Sequence, residues 1–192
     1  SGLEKERVLH RKQARSAVNS WRYTEFILGL STWLYSDNWR DNAASSNVMD
    51  LSEPASKFCA KQLKKQNKIV REKCQKLGQM SEEERHKLRL AVKKLRYTID
   101  FCANIYPEKQ ISIFQKKLNP VQAALGYLND VLAAKLLVEK LMSVKSDHAT
   151  PAWLYTAGIV IGWHRHEATL TEKKLFKDVN RFLGTKVFWE RK

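Results

Sequence analysis

Residues 86–97, HKLRLAVKKLRY, carry six side chains that are cationic or become cationic on protonation, and no acid. At about 100° per residue, His86, Arg89, Lys93 and Arg96 fall within an arc of roughly 80° on one helix face. Like charges three or four residues apart repel, so charged helix faces usually mix signs. A column of one sign predicts that the counter-charge comes from a bound anion. Arg forks combined with Lys point charges suit a repeating phosphate chain.

Two other segments repeat this pattern. One stripe, spanning an arc of about 120°, consists of Lys61, Lys64, Lys65, Lys68 and Arg71. The other, near the start of the chain, consists of Arg7, Arg11, Arg15 and Arg22. An ordinary solvated face is the simpler interpretation of any single stripe. Solvated faces normally mix signs, however, so three stripes in one chain favour a groove between neighbouring helices that holds an anion or water.

The overall composition supports a polyanionic partner. The 192 residues include 35 Lys and Arg against 20 Asp and Glu, a formal charge of +15. Such a field attracts nucleic acid, anionic lipid or inorganic phosphate polymers, although a basic surface without specificity is the plainest interpretation. The three cysteines, Cys59, Cys74 and Cys102, lack C-x-x-C spacing and are expected to be reduced thiols in a cytoplasmic protein. No uncharged run approaches the ~18 residues of a membrane span, and no signal peptide opens the chain, so we expect no membrane partner.

Helical periodicity runs through nearly the whole chain and predicts an all-α fold, an antiparallel bundle of long helices. The first helix is expected to run to about Ser36, interrupted at Gly29 without ending there, followed by a loop to about Ser52 and a helix to Gly78. Ser81 and Glu84 form a capping box that starts the next helix, which should end before Pro107. The next is expected to be interrupted at residues 119–120, and residues 150–184 to form two further helices. Beside the cationic stripe, Leu88, Val92, Leu95 and Ile99 form an apolar stripe directed to a core.

Two segments resemble the CHAD domain, the conserved histidine α-helical domain. His86, Arg89, Lys93, Arg96 and Tyr97 match the central motif of this family in order and spacing. Downstream, VQAALGYLND is similar to its second segment, through Gln122, Leu125, Gly126, Asn129 and Asp130. The resemblance implies two similar four-helix bundles around a basic central channel, binding of inorganic polyphosphate, and frequent fusion to a triphosphatase-type domain.

The start of the chain departs from the family pattern. A complete domain would carry an earlier His-x-x-Arg segment, and residues 10–13, HRKQ, do not match it. We therefore expect a single CHAD-like domain over residues 1–192 that is the C-terminal portion of a larger one. Residues 1–50 would be what remains of the first bundle and a connecting helix, and residues 51–192 would form the second four-helix bundle. A homodimer is expected to compensate for the missing part.

Two other functions compete with polyphosphate binding. The runner-up is binding of nucleic acid, which would require exposed aromatic side chains for stacking. The tryptophans are instead expected to lie mostly in the core; they are Trp21, Trp33, Trp39, Trp153, Trp163 and Trp189. The third is a phosphohydrolase with His86 as nucleophile or general acid. No acidic cluster for Mg²⁺ accompanies His86, and in HRHE, residues 164–167, the two histidines point in different directions. We therefore expect no enzyme activity, cofactor or metal.

The predicted polyphosphate site combines the stripes with nearby residues. Its binding residues are His86, Arg89, Lys93, Arg96, Tyr97, Lys61, Lys64, Lys68, Arg71, Arg15, Arg22 and Lys117. Asn129 and Asp130 are expected to orient them, with Asp130 paired to one of the cations. The expected location is the cytoplasm, in association with polyphosphate granules.

Overall fold

The computed structural model describes residues 2–36, 53–143 and 151–190, and 88% of these residues are helical, with no strand among them. The all-α prediction is confirmed. The helices are α1 (Gly2–Val18), α2 (Trp21–Tyr35), α3 (Ala55–Cys74), α4 (Glu82–Phe101), α5 (Glu108–Ser143) and α6 (Pro151–Leu183). Short 3₁₀ turns at Leu77–Gln79 and Ala103–Ile105 follow α3 and α4. The loop predicted to end near Ser52 lies outside the described residues.

The described residues divide into two compact units, 2–36 with 53, and 54–143 with 151–190. In the first unit, the prediction of one helix to Ser36 interrupted at Gly29 is wrong, because the helix ends instead before Asn19 and Ser20 and a new one begins at Trp21. Ser20 is extended, with ψ of 150°, and its hydroxyl accepts the backbone N–H of Tyr23 at 3.3 Å. A serine that caps a new helix in this way competes with continuation of the previous one. Gly29 lies within α2 without interrupting it.

The second unit is a four-helix bundle of α3, α4, α5 and α6, and its core comes mainly from one stripe of each helix. In α4 that stripe is the predicted one, since Leu88, Val92, Leu95 and Ile99 are all fully buried. Opposite them lie Leu63 and Val70 of α3 and residues of the other two helices. The remaining large fully buried side chains are Phe114, Leu118 and Val121 of α5 and Leu175 and Phe182 of α6.

The predicted start of α4 is confirmed in detail. Ser81 Oγ accepts the backbone N–H of Glu84 at 3.2 Å, and Glu84 Oε2 accepts the backbone N–H of Ser81 at 2.8 Å. The reciprocal bonds satisfy two amides that a helix start leaves unpaired. They also lower the pKa of the Glu84 carboxyl. The helix ends at Phe101, before Pro107 as predicted.

Two predicted breaks are wrong, and both corrections lengthen a helix. α5 continues through Pro120, whose neighbours Leu118 and Val121 are fully buried and hold the backbone in place by packing. The two helices predicted for residues 150–184 form the single helix α6. Between Gly162 and Gly184 the sequence has no Gly or Pro, so nothing local ends the helix there.

α5 and α6 are longer than their bundle partners. Beyond Leu125 of α5 and before Leu175 of α6, no described side chain of these two helices is buried. Within this region, we call residues 129–140 of α5 and 152–167 of α6 the α5–α6 extension. Several large apolar side chains on it are exposed, namely Leu136, Leu137, Leu154, Tyr155, Ile159, Val160 and Trp163.

By length and composition, one stretch of the described chain could cross a membrane. This stretch, Glu108–Lys140 of α5, is both long enough and apolar enough to do so. A helix that contributes to a protein core passes the same test. Phe114, Leu118 and Val121, in the first half of α5, are core residues of the bundle.

The prediction of three reduced thiols is wrong for two of them. Cys59 and Cys102 form a disulfide between α3 and the end of α4, with Cα atoms 5.9 Å apart. Cys74 is free and buried, and burial raises the pKa of its thiol to about 12 despite the nearby Arg71 guanidinium. Neither spacing nor composition could reveal the pair, because the cysteines meet only when α3 and α4 pack.

Candidate functional site

The cationic stripe of α4 lies beside its buried stripe and faces α5. Arg89, Lys93 and Arg96 are half-buried, while His86 is exposed. Half-burial arises because these residues are offset from the core direction by less than half a turn of the helix. Their aliphatic stems therefore pack at the edge of the bundle, and in Arg89 the Nε atom of the guanidinium is buried as well.

Hydrogen bonds to α5 hold the N-terminal end of this stripe. His86 Nδ1 lies 2.7 Å from Oδ1 of Asn129. The Nδ2 group of Asn129 donates in turn to Oδ1 of Asp130 at 3.4 Å. Asp130 thus lies against Asn129, and within the described residues no cation pairs with it, so the predicted cation pair of Asp130 is corrected.

The other end of the stripe is held in the same register. Gln115 Nε2 donates to Asp100 Oδ1 at 2.9 Å, and Arg96 Nε lies 3.6 Å from Asp100 Oδ2. His86 and Asp100 are as far apart along α4 as their partners Asn129 and Gln115 are along α5, and the order of the partners is reversed. This common register defines what we call the α4–α5 seam.

Polar atoms without partners lie in the middle of the seam. Nε of Arg89 and Oε1 of Gln122 are both buried, and neither has a hydrogen-bond partner among the described residues. The register places Gln122 opposite Lys93 and Gly126 opposite Arg89, and no atom lies within 4 Å of where a Cβ of Gly126 would be. Buried polar atoms are normally paired. The Nε–H of Arg89 is a donor that could pair with an anion entering the seam, whereas Gln122 Oε1 only accepts.

An aromatic ring also lies beside the stripe. Lys93 Nζ is 5.8 Å from the centre of the Tyr97 ring. Tyr97 and Phe101 are both exposed, and they line a cavity of about 370 Å³ between α3 and α4 together with Lys65 and Lys94. Cations and exposed rings therefore share this side of α4.

Arg71 is the clearest correction to the predicted site. Its Nη1 donates to the carbonyl of Leu183 at 2.6 Å and its Nη2 to that of Thr185 at 2.7 Å. Its Nε donates to Asn67 Oδ1 at 3.3 Å, and its guanidinium lies 5.5 Å from the Phe182 ring centre. Arg71 thus uses its donors to cap the C-terminal end of α6, where a cation is favourable.

The other predicted cations of α3 and α5 do not face the seam. Lys61, Lys64 and Lys68 are exposed on the face of α3 roughly opposite its buried residues. Lys68 pairs at 3.8 Å with Glu72. Lys117 is exposed about 160° around α5 from Gln115, again by helix periodicity. The structure therefore does not bring these lysines together with the α4 stripe into one groove.

Arg15 and Arg22 belong to the first unit. Arg15 lies in the last turn of α1, Arg22 lies at the start of α2, and both side chains are exposed. Their predicted role stays a prediction.

A cavity of about 350 Å³ opens at the His86 end of the seam, between α4, α5 and α6. Arg85 Nη1 donates to Glu172 Oε1 across it at 2.6 Å, and His164 Nδ1 lies 3.3 Å from the Tyr127 hydroxyl. Its remaining lining is largely aliphatic, including Leu128 and Ile161. Sequence reasoning missed Gln115, Arg85 and Glu172. The spacing of seven between Gln115, Gln122 and Asn129 was the available signal for a polar face on α5.

The tryptophan prediction is mostly wrong within the described residues. Trp21, Trp33 and Trp163 are exposed, and Trp189 is buried against Phe114 and Phe188. Trp39 lies outside the described residues. Within the part of the chain that the structure describes, no three His, Cys, Asp or Glu side chains are grouped as metal ligands.

Comparison with known families gives one match. The model of the CHAD domain matches residues 1–139 of the 192. No curated protein matches the chain. The matched range includes α4 and most of α5, and so both sides of the seam.

Proposed function

The chain belongs to the CHAD domain family, and from this premise we propose that it binds inorganic polyphosphate along the α4–α5 seam without cleaving it. CHAD domains are linked to polyphosphate binding. The observation that carries the proposal is the alignment of His86, Arg89, Lys93 and Arg96, in which the buried Nε of Arg89 lacks a partner among the described residues.

The shape of the seam suits a chain of phosphates. At about 1.5 Å per residue, the ten residue steps from His86 to Arg96 span roughly 15 Å, long enough for several consecutive phosphate groups. The opposite wall supplies neutral amides, Gln122 and Asn129, and the open position at Gly126. Cations on one wall and neutral groups on the other would attract an anion without repelling it. A basic channel in the family's sense is part of this proposal.

Non-catalytic binding is the second part of the proposal. Hydrolysis of phosphoanhydrides usually requires carboxylates that hold Mg²⁺ beside the reacting phosphate. Asp100 and Asp130 lie at opposite ends of the stripe, and each accepts a hydrogen bond from an amide side chain. These contacts support binding without turnover.

Nucleic-acid binding remains the second candidate because of one specific observation. Tyr97 and Phe101 present exposed rings next to Lys65 and Lys94, and base stacking on exposed rings flanked by cations is how single strands are bound. The two candidates differ in which wall of α4 they use. Polyphosphate would occupy the side facing α5, and a nucleic acid the side facing α3.

The test compares the two polyanions directly. Affinities for long-chain polyphosphate, single-stranded DNA and duplex DNA of equal charge should be measured at several salt concentrations. Polyphosphate should bind tightest at physiological salt, and every affinity should fall as salt rises, because binding releases counterions. Equal or tighter binding of either DNA would favour the second candidate.

We propose that the protein acts in the cytoplasm, at polyphosphate granules.

We also propose that a second copy of this chain covers the α5–α6 extension. The seven exposed apolar side chains of the extension present several hundred Å², at about 150–250 Å² for a full aromatic side chain. A standard interface buries ~800 Å² per partner. Two antiparallel helical hairpins that pair by two-fold symmetry complete a four-helix bundle, so an identical extension is a complementary partner.

A further inference from the structure

The hydrogen bonds around His86 run in one direction. An ionised carboxylate only accepts, so the Asn129 amide faces Asp130 with its Nδ2 group, which donates to Oδ1 of Asp130. The Asn129 atom facing His86 is therefore Oδ1, at 2.7 Å from Nδ1. An amide oxygen cannot donate, so the proton in this contact is on Nδ1 of His86.

A proton on Nδ1 leaves Nε2 as the remaining ring nitrogen. In the neutral ring Nε2 is an acceptor, and it cannot hydrogen-bond an ionised phosphate oxygen, which is also an acceptor. Only the doubly protonated ring carries an N–H at Nε2. A contact between His86 and a phosphate therefore requires the imidazolium form.

We propose that His86 is the pH-sensitive contact of the polyphosphate site, donating from Nε2 only when its ring is doubly protonated. Asn129 and Asp130 are positioning residues that impose this requirement. The inference rests on the proposed function. Among the side chains of the stripe, only an imidazole can gain a proton between neutral and mildly acidic pH, whereas Arg and Lys stay charged throughout this range. The affinity for polyphosphate should therefore rise as the pH falls through this range.

Several other charged groups surround His86, and the test must separate their effects. From α4 these are Glu82, Arg85 and Arg89, from α5 Asp130 and Lys135, and from α6 His164, Arg165 and Glu172. The Arg85 guanidinium is paired with Glu172 at 2.6 Å. His164 is the other histidine of this cavity, so a variant of it serves as the internal control.

The binding experiment measures affinity for long-chain polyphosphate from pH 5.5 to 8.5 at constant ionic strength. The wild-type protein should gain about tenfold or more toward low pH, the order of a charge-assisted hydrogen bond. His86→Gln should lose this gain, apart from any change in the ligand itself. The matched controls His164→Gln and His166→Gln should keep it. Asn129→Asp retains an acceptor for Nδ1 and should keep it, whereas Asn129→Leu should reduce it.

A second measurement begins on the protein without ligand. Nitrogen NMR of the His86 ring above pH 8 should show the proton on Nδ1 in the wild-type protein and in Asn129→Asp, and a mixture of tautomers in Asn129→Leu. Addition of polyphosphate at pH 7 should convert the ring to its doubly protonated form. A positioning role predicts these changes, whereas a merely structural role for Asn129 does not.

The outcomes separate this inference from the proposed function. Binding that rises equally in wild type and His86→Gln, or a neutral ring that carries its proton on Nε2, would overturn the inference and leave polyphosphate binding intact. Absence of polyphosphate binding at every pH, with the Nδ1 proton in place, would overturn the proposed function and the pH dependence together.

Discussion

At the scale of single residues, identical charges have different roles according to their contacts. Arg71 and Arg89 both belong to cationic stripes of the sequence. Arg71 donates hydrogen bonds to two backbone carbonyls and to Asn67 within the bundle. Nε of Arg89, in contrast, is buried at the seam without a partner among the described residues. The first arrangement stabilises the fold, and the second is available to a ligand.

Removing two cations of the seam should weaken polyphosphate binding far more than removing the same charge elsewhere on the protein. Arg89→Ala combined with Arg96→Ala should weaken polyphosphate binding by several kcal/mol, at about 1.5–3 kcal/mol per hydrogen bond to a charged group. Calorimetric titration at fixed salt measures the loss. The control, Lys173→Ala with Lys174→Ala on the exposed surface of α6, removes the same charge and should cost much less. Equal losses in two folded variants would mean that only net charge counts.

Arg71 should act on stability. Arg71→Ala leaves two carbonyls at the end of α6 without their charged donor, and we expect a loss of about 2–4 kcal/mol in the free energy of unfolding. Chemical denaturation measures this loss. Lys64→Ala, an exposed change on the same helix, should stay within ~0.5 kcal/mol. An Arg71→Ala protein as stable as wild type would show that the cap contributes little.

At the scale of elements, the helix ends follow local chemistry while helix continuity does not. The capping box at Ser81 and the cap at Ser20 each use a side chain within three residues of the helix start. At Pro120 the local preference does not decide the structure, because α5 continues through the proline although one backbone hydrogen bond is lost. Packing on both sides of Pro120 outweighs its local preference.

Pro120→Ala should therefore stabilise the protein. Alanine restores the missing N–H and removes the clash with the preceding turn, a gain of up to ~3 kcal/mol that is reduced by about 0.4–1 kcal/mol because the unfolded chain becomes freer. The denaturation midpoint should rise. Pro54→Ala is the matched control, since Pro54 is the N-cap of α3, and it should change stability little. A lower midpoint for Pro120→Ala would show that packing of the ring outweighs the lost hydrogen bond.

At the scale of the whole molecule, two kinds of surface compete for partners. The formal charge of +15 favours polyanions and opposes self-association, while the α5–α6 extension offers apolar area without a described cover. Salt affects the two in opposite ways, because it screens the charge repulsion between copies and weakens polyanion binding.

The dimer proposal predicts a mass near twice 22.3 kDa by light scattering, favoured by higher salt. Leu137→Glu combined with Trp163→Glu should shift the protein to monomer, because it places charges in the proposed interface. Leu90→Glu with Ile113→Glu introduces the same charge at exposed apolar positions of the bundle and should leave the dimer intact. A wild-type monomer across protein concentrations and salt would contradict the proposal.

The sequence by itself determined the helical class, the capping box at Ser81, the buried stripe of α4 and the family motif around His86. These features depend on side-chain periodicity and on contacts within one turn, which a linear pattern contains. Composition likewise gave the formal charge of +15.

Only the tertiary structure decided which of the cations lie along the α4–α5 seam and which do not. Arg71 meets carbonyls more than a hundred residues away, Asn129 meets His86 through the register of two helices, and Cys59 meets Cys102 through the packing of α3 on α4. Packing also carried α5 through Pro120 and left Trp163 exposed. Burial and partner choice depend on which helices become neighbours, and helical periodicity shows which residues share a face but not which helix that face meets.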